Sequence, residues 1–489
     1  MASTEESKPA TAWGFHASDD IVSRLAAQDI VPWYKKPNLR ILYLILLPTC
    51  IGVEMTSGFD SSMINGLQAV DSWDTFYHSP RSTLLGLMSA AYSLGAIVAL
   101  PAVPYVNDEW GRRRAILFGS ILMVIGAVLQ AASQNFAMFV ISRLILGLGI
   151  PFAIVAASSL IGELSHPKER ARLGSLFNSC YFIGALHRRG GCHTRTFAMK
   201  NNWGWRIPSL LQISPSILQI TFIYFLPESP RWLISKGRGA EAFAILAKYH
   251  GEGDVHSEFV KAEYAQIEKT LELELEHSKT SWREFVSTSG MRKRLLVASG
   301  LGLFTQWSGN GLTSYLLARI LDEIGVHENR TKNLINLALT CWGFVNATAL
   351  ALTVSKFKRR TIPAYNLGYN ALTYTFLVEL FPFHARAKGI TVFQWFGRMA
   401  GFLNQFVNPI GLAHSGWRYY ITYVVWLAFE VVFVYFLFPE TAHRTLEELA
   451  FLYEGDQIRE EQKKRVEDEI RHEHHDGKRV SEDPAEEKA

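Results

Sequence analysis

The sequence predicts an all-α membrane protein with about eleven spans arranged in two groups. Three observations predict it. The chain has 489 residues, 48% hydrophobic and only 19% charged, whereas soluble domains carry roughly 25% charge. Mean hydropathy is slightly positive, at +0.07. Apolar stretches recur at the length of a bilayer crossing, without the alternation of a membrane β-barrel. The same composition excludes a mainly disordered chain, and four cysteines exclude a disulfide scaffold. A net charge of +4 with no basic stripe interleaved with aromatics speaks against a nucleic-acid partner.

The elements follow in order. Residues 1–38 are polar and lack a lysine-led apolar run with a cleavage site, so they read as a cytoplasmic tail with no signal peptide. Residues 39–226 hold the first group of spans, in stretches 39–67, 84–105, 115–132, 136–160, 173–186 and 209–226. Residues 227–294 are rich in Lys, Glu and Arg and form a cytoplasmic centre. Within it, 239–250 and 257–277 read as amphipathic surface helices. Residues 295–438 hold the second group, in stretches 295–319, 334–354, 363–381, 390–411 and 418–438. Residues 439–489 form a charged cytoplasmic tail. Its Arg471-His472-Glu473-His474-His475 run reads as solvated tail, and no metal site is expected.

Basic clusters set the orientation. Arg112-Arg113-Arg114 and the run from Lys168 to Arg172 flank spans two apart, which places both on the cytoplasmic side, with the N-terminus. The chain is therefore expected to be a multi-pass protein, with the lipid bilayer as its main partner.

Charges inside spans are costly and are functional candidates by default. Asp60 sits in the outer part of the first span and Arg143 at a similar depth in the fourth. If these helices are neighbours, Arg143 can hold the Asp60 carboxylate or release it for protonation, as a proton-coupling site requires. The alternative is an ion pair that only joins two helices. Glu54, on the roughly opposite face, is the weaker candidate. Polar and aromatic groups also recur in the later spans, including Gln306, Trp307, Asn310, Tyr315, Asn370, Tyr374, Gln394 and Trp395. Amides pair with hydroxyls and indoles stack on pyranose faces, so a polyol or a sugar fits such a lining. Any one of them could equally be helix-to-helix glue. No Walker loop, dinucleotide fingerprint, His-Glu-x-x-His or G-x-S-x-G is present, so no enzyme is expected.

Several ordered motifs carry a family resemblance. They are Asp108-Glu109-Trp110-Gly111-Arg112-Arg113; Arg143 with Gly147 and Gly149; Glu163 with Arg170; and Pro227-Glu228-Ser229-Pro230-Arg231-Trp232-Leu233. They continue with Gln306-Trp307-Ser308-Gly309-Asn310-Gly311; Glu379 with Arg386; and Pro439-Glu440-Thr441. Together they resemble the sugar porter family of the major facilitator superfamily, in its fungal lactose- and hexose-permease-like form. The resemblance implies the major facilitator fold, two six-helix bundles around one central sugar site opened alternately to each side. It implies a small-molecule sugar substrate, a proton as coupling ion and no other cofactor. A plasma-membrane location and function as a monomer are the accompanying expectations. Proton-coupled members carry an Asp at the place of Asp60 and an Arg at Arg143. The fifth-helix substrate Gln falls at Asn178, Gln306 matches a seventh-helix sugar ligand, and a tenth-helix Trp position holds Tyr374. Cytoplasmic charge networks are implied among Arg112, Glu163, Arg170, Glu228 and Arg231, and among Arg359, Glu379, Arg386 and Glu440.

The chain departs from that pattern twice. The fifth span turns into His187-Arg188-Arg189-Gly190-Gly191-Cys192-His193-Thr194-Arg195, too basic for an outer segment. Only about one span's length separates Lys358-Arg359-Arg360 from Pro382 to Lys388, two runs that should both be cytoplasmic. The ninth helix is therefore expected to be missing, and the fifth abnormal.

Overall fold

The computed structural model describes residues 21–29, 31–67, 70–78, 83–187, 199, 201–277, 287–309, 321, 325, 328–353, 369–415 and 418–439. These residues are helical throughout, with no strand among them. The first half contains α1 (Ile21–Gln28), α2 (Pro37–Leu67), α3 (Asp71–Phe76), α4 (Thr83–Ala99), α5 (Val103–Trp110), α6 (Arg112–Ala131) and α7 (Phe136–Leu164). It continues with α8 (Arg170–Ser179), α9 (Tyr181–His187), α10 (Trp203–Leu211) and α11 (Ile213–Ile223). The segment between the two halves holds α12 (Pro230–Ser235), α13 (Gly239–Tyr249) and α14 (Glu258–His277). The second half holds α15 (Ser289–Trp307), α16 (Asn329–Thr353), α17 (Tyr369–Leu380), α18 (Phe383–Ser415) and α19 (Tyr419–Leu437).

Five described segments are long and apolar enough to cross a bilayer unaided: Pro37–Asp60, Gly86–Trp110, Arg112–Ala131, Phe136–Leu164 and Tyr419–Leu437. Other apolar stretches are broken or more polar. The sixth stretch breaks at Gln212, between α10 and α11. Pro215 has no N–H to give the Leu211 carbonyl, and the Ser214 hydroxyl donates to it instead at 2.8 Å. The fifth is helical from Arg170 to His187 with a break at Cys180, and residues 188–198 lie outside the described set.

The core runs along α7. Every residue from Gly149 to Leu164 is buried, as befits a helix apolar on all sides. By contrast α19 exposes Val424, Val425, Tyr435 and Phe436, an apolar face that only lipid covers without cost. Glycines permit the tight crossings. A Cβ on Gly147 would overlap the Tyr92 carbonyl, which locks α7 against α4. Gly58 and Gly184 meet the carbonyls of Tyr181 and Met55 in the same way, which locks α2 against α9.

The halves meet along two seams. In one, α8 and α9 pack on α16 and α17, and in the other α4 packs on α18. At the N-terminal end of α2, Glu252, at φ 54°, accepts from the backbone N–H groups of Asn38 and Leu39, both at 2.9 Å. It thereby caps the first turn of α2, which carries Pro48 within its length. The expected gap at the ninth helix falls on residues 354–368, outside the described set.

Candidate functional site

At mid-depth the two halves share a buried set of charges. Asp60 on α2 is 1% exposed and Arg143 on α7 is 3% exposed. The Arg143 Nη1 donates to Asp60 Oδ1, which also accepts from Gln212 Nε2 at 2.9 Å. The break at Gln212 is what leaves that amide facing α2. Asp60 Oδ2 and Arg143 Nε have no hydrogen-bond partner.

The Arg143 guanidinium lies 5.3 Å from the centre of the Tyr92 ring. Arg398, on α18 of the other half, lies 5.4 Å from the same centre. Glu54, six positions before Asp60 on α2, is 3% exposed. Tyr374, on α17, is 8% exposed. Gln394 in turn donates to Tyr374. Two arginines, one from each half, thus share one aromatic ring, and Asp60 is paired with the first of them.

A second cluster lies at the end of α7. Glu163, at the end of α7, has a fully buried side chain. It accepts from Arg112 Nε at 3.2 Å and Nη2 at 3.4 Å, and from Arg386 Nη1 at 3.0 Å. Arg231 donates to its backbone carbonyl at 3.4 Å. Both Arg112 and Arg386 also lie over the Phe383 ring. Arg386 was expected in the network of its own half; it crosses to the other and ties the halves together. Glu228 accepts from the backbone N–H of Arg112 and of Arg113, at 3.1 and 3.2 Å, and caps α6. Burial pushes the Glu228 carboxyl above its ordinary value, against the donors from Ser229, Arg112 and Arg113. Gly111, at φ 86°, supplies the turn that presents those N–H groups. Arg170 and Glu379 line a narrow cleft between α7, α8 and α17, with Ser158, Phe177, Tyr374 and Val378.

The expected sugar-lining residues separate. Tyr374 and Gln394 pair with each other. Asn178 is half-buried on α8. The Gln306 carbonyl accepts from Asn404 at 2.7 Å, and Trp307 donates to the Ala400 carbonyl at 3.3 Å. The Trp307 ring also meets Trp426 edge-on at 5.0 Å. The backbone of Gln306 and the side chain of Trp307 thus join α15 to α18 and α19. Trp395 is 38% exposed and points away from the core. Asn310, Tyr315, Arg359 and Glu440 lie outside the described residues, as does the side chain of Asn370 on α17.

Sequence reasoning missed Arg398 and Glu430. Glu430, on α19, is 3% exposed and accepts from the Ser308 hydroxyl at 2.9 and 2.7 Å. The signal was present in both cases: a charge inside an apolar stretch, the same rule that selects Asp60 and Arg143.

With this geometry in hand, the comparisons with known proteins are specific. The family described as sugar (and other) transporter matches residues 45–364 and 361–453. The two matches overlap at residues 361–364. A high-affinity glucose transporter of Kluyveromyces lactis is 25% identical over 85% of this chain and 86% of its own length. An arabinose-proton symporter of Bacillus subtilis is 26% identical over 86% of this chain and 99% of its own. Among solved structures, the proton:xylose symporter XylE bound to 6-bromo-6-deoxy-D-glucose superposes with a TM-score of 0.76 at 21% identity. It covers 85% of this chain and 100% of that one.

Proposed function

The chain belongs to the sugar (and other) transporter family, the sugar porters of the major facilitator superfamily, and from that premise we propose that it carries a hexose or a disaccharide across the plasma membrane together with a proton. It is an integral membrane transporter, not an enzyme. The observation that carries the coupling is the buried Asp60–Arg143 pair with its unpartnered carboxylate oxygen. While Arg143 faces Asp60, the carboxylate is the favoured form. When the pair is drawn apart, a lone buried carboxylate is strongly disfavoured and takes up a proton. A proton picked up outside and released inside makes sugar movement depend on the gradient. The names of the arabinose and xylose symporters support the reading. The sugar-contacting groups are Asn178, Tyr374 and Gln394 at the centre of the bundle, and the protein works as a monomer.

The test is radiolabelled sugar uptake in a yeast lacking its own transporters, with external pH recorded. Wild type is expected to accumulate sugar and to alkalinise the medium, and Asp60→Asn is expected to lose accumulation. Accumulation that ignores the proton gradient and survives Asp60→Asn would refute coupling and leave a uniporter. One observation favours a second reading. Only about one span's length separates the basic run Lys358-Arg359-Arg360 from Pro382 to Lys388, two runs that should both lie on one side of the membrane. A chain without that helix is a disabled paralogue or a non-transporting sugar receptor. Binding of sugar without uptake would establish it.

A further inference from the structure

Two histidine rings are buried where α13 and α14 meet the end of α7. His250, just after α13, is 5% exposed, and His166, in the turn after α7, is 1% exposed. Their rings meet edge to face, with centres 5.4 Å apart. Both ring nitrogens of His250 face an acceptor. Nδ1 lies 2.7 Å from Glu263 Oε2 on α14, and Nε2 lies 3.2 Å from the Leu164 carbonyl oxygen. Leu164 is the last residue of α7, and the final carbonyls of a helix have no N–H of a following turn to accept from. A neutral imidazole carries one N–H, and only the imidazolium carries two. Both contacts are hydrogen bonds, therefore, only while His250 is protonated. A cation is also favoured at that end of a helix.

The ionisable groups around His250 are Glu263 on α14, His166 and Glu169 between α7 and α8, Arg170 on α8 and Tyr43 on α2. Asp29, just after α1, acts on the His166 ring. Burial, with His250 alongside, holds His166 below its ordinary value against the pull of Glu169. The His166 Nε2 has no hydrogen-bond partner. Of the two rings, His250 is the one placed to hold the proton. The same helices lean on the other half of the protein. Helix α14 packs on α18, and Phe383 of α18 packs against Leu246, Val260, Ile267 and Leu271. Phe383 is also the ring beneath Arg112 and Arg386.

We propose that His250 is a proton-operated clasp. Protonated, it ties α14, through Glu263, to the end of α7, through Leu164. With α14 seated on Phe383, the two halves are then held together at that end. When the proton leaves to water, the neutral ring keeps one bond and turns a lone pair on the other acceptor, so α14 loosens. Acid on that side fastens the clasp and base frees it. A carrier that brings in protons with its sugar slows itself as they accumulate there. The clasp does not depend on the transport reading, whereas the braking effect rests on it.

The purified full chain tests the clasp by the accessibility of one cysteine. Val260, on α14, is 0% exposed. Val260→Cys is made with Cys50, Cys180, Cys192 and Cys341 changed to Ser, and its maleimide labelling is divided by that of glutathione at the same pH. The ratio is expected to rise at least tenfold from pH 6 to pH 9. Adding Glu263→Gln should hold it within threefold, because the amide donates to Nδ1 of a neutral ring while Nε2–H keeps Leu164. Adding His250→Gln instead should give fast labelling at both pH values, and adding His166→Gln should leave the rise intact. A flat profile in the parent overturns the proposal without any variant. So does a rise that persists in Glu263→Gln, or one that only His166→Gln removes. The brake is read by equilibrium exchange in liposomes at equal pH on both sides. D-Glucose, D-xylose, L-arabinose and lactose are tried, and the fastest serves as probe. His250→Gln should exchange at least threefold faster than wild type at pH 6 and at the same rate at pH 9. Equal rates at pH 6 overturn the brake. No exchange of any of the four sugars refutes the transport reading, and the labelling still decides the clasp.

Discussion

Glu163→Gln should open the cytoplasmic end of the protein. In the closed arrangement the Glu163 carboxylate is the shared acceptor of Arg112 and Arg386, at 3.2 and 3.0 Å. Both arginines are 1% exposed. The amide keeps the shape of the side chain but removes its charge, so Arg112 and Arg386 both lose the buried carboxylate they share, although Asp108 still stands 3.9 Å from Arg112. Breaking a buried pair in this way costs about 3 to 5 kcal/mol. The cost applies only while the halves are joined, because once they part Arg386 reaches water. At about 1.4 kcal/mol per tenfold change in an equilibrium, the lower figure moves the closed-to-open ratio by about two orders of magnitude. Accessibility of a single cysteine reads this directly. Val378 is 4% exposed and packs against Gly162 across the seam. Val378→Cys is placed in a background with Cys50, Cys180, Cys192 and Cys341 changed to Ser. Labelling of inside-out vesicles by a membrane-impermeant maleimide should then be at least tenfold faster with Glu163→Gln. Adding Arg386→Gln should not slow it, since that removes the remaining cross-half bond. Equal labelling rates with and without Glu163→Gln would show that this cluster does not hold the end shut.

Further predictions address the cytoplasmic helices, the helix crossings and the junctions. Burial would raise the Glu263 carboxyl, but the His250 ring at 2.7 Å, with His166 and Arg170, outweighs it and brings it down to about 2. Its folded value lies below its unfolded one, so its stabilisation is complete above pH ~4.5 and is lost as pH falls towards ~2, by about 3 kcal/mol. Limited proteolysis of α14 in the purified protein should rise across that window, and Glu263→Gln should remove the pH dependence. Gly147→Val places a branched side chain on the Tyr92 carbonyl and should lower the amount of inserted protein at least tenfold on a membrane immunoblot. Glu252→Ala frees two N–H groups at the start of α2 and should cost about 1 kcal/mol, read as a melting point lower by a few degrees. Sequencing the message across codons 187–201 and 360–363 should show that the two irregular junctions are not encoded as they stand; a message that encodes both would make them real features of the protein.

The long spans were legible because a bilayer requires about 20 apolar residues in a row, and α2, α6, α7 and α19 meet that condition by composition alone. The position of Asp60 and Arg143 at one depth was also legible, from residue counting along two helices. Their shared partner Gln212 was not, because it depends on a helix break that Pro215 and Ser214 create. The crossing of Arg386 to Glu163 was hidden for a different reason. A motif shows that a charge needs a partner, but several partners of the right sign are available and packing chooses among them. Trp307 shows the limit of residue type as evidence. The indole that could stack on a sugar instead donates to Ala400 and packs on Trp426. Arg398 could have been found by the rule that found Arg143, and its place on the Tyr92 ring comes from a seam that no local pattern reveals.

The cap that Glu252 places on α2 has a mechanical side. The helix runs without interruption from residue 37 to residue 67, a rod of about 46 Å at 1.5 Å per residue. It is gripped at one end by the turn between α13 and α14 and carries Glu54 and Asp60 further along. Pro48 lies between the grip and both acids, where the missing N–H makes a joint. A pull on the cytoplasmic helices thus reaches the two carboxyl groups through a jointed lever, by a route that bypasses Glu163 altogether.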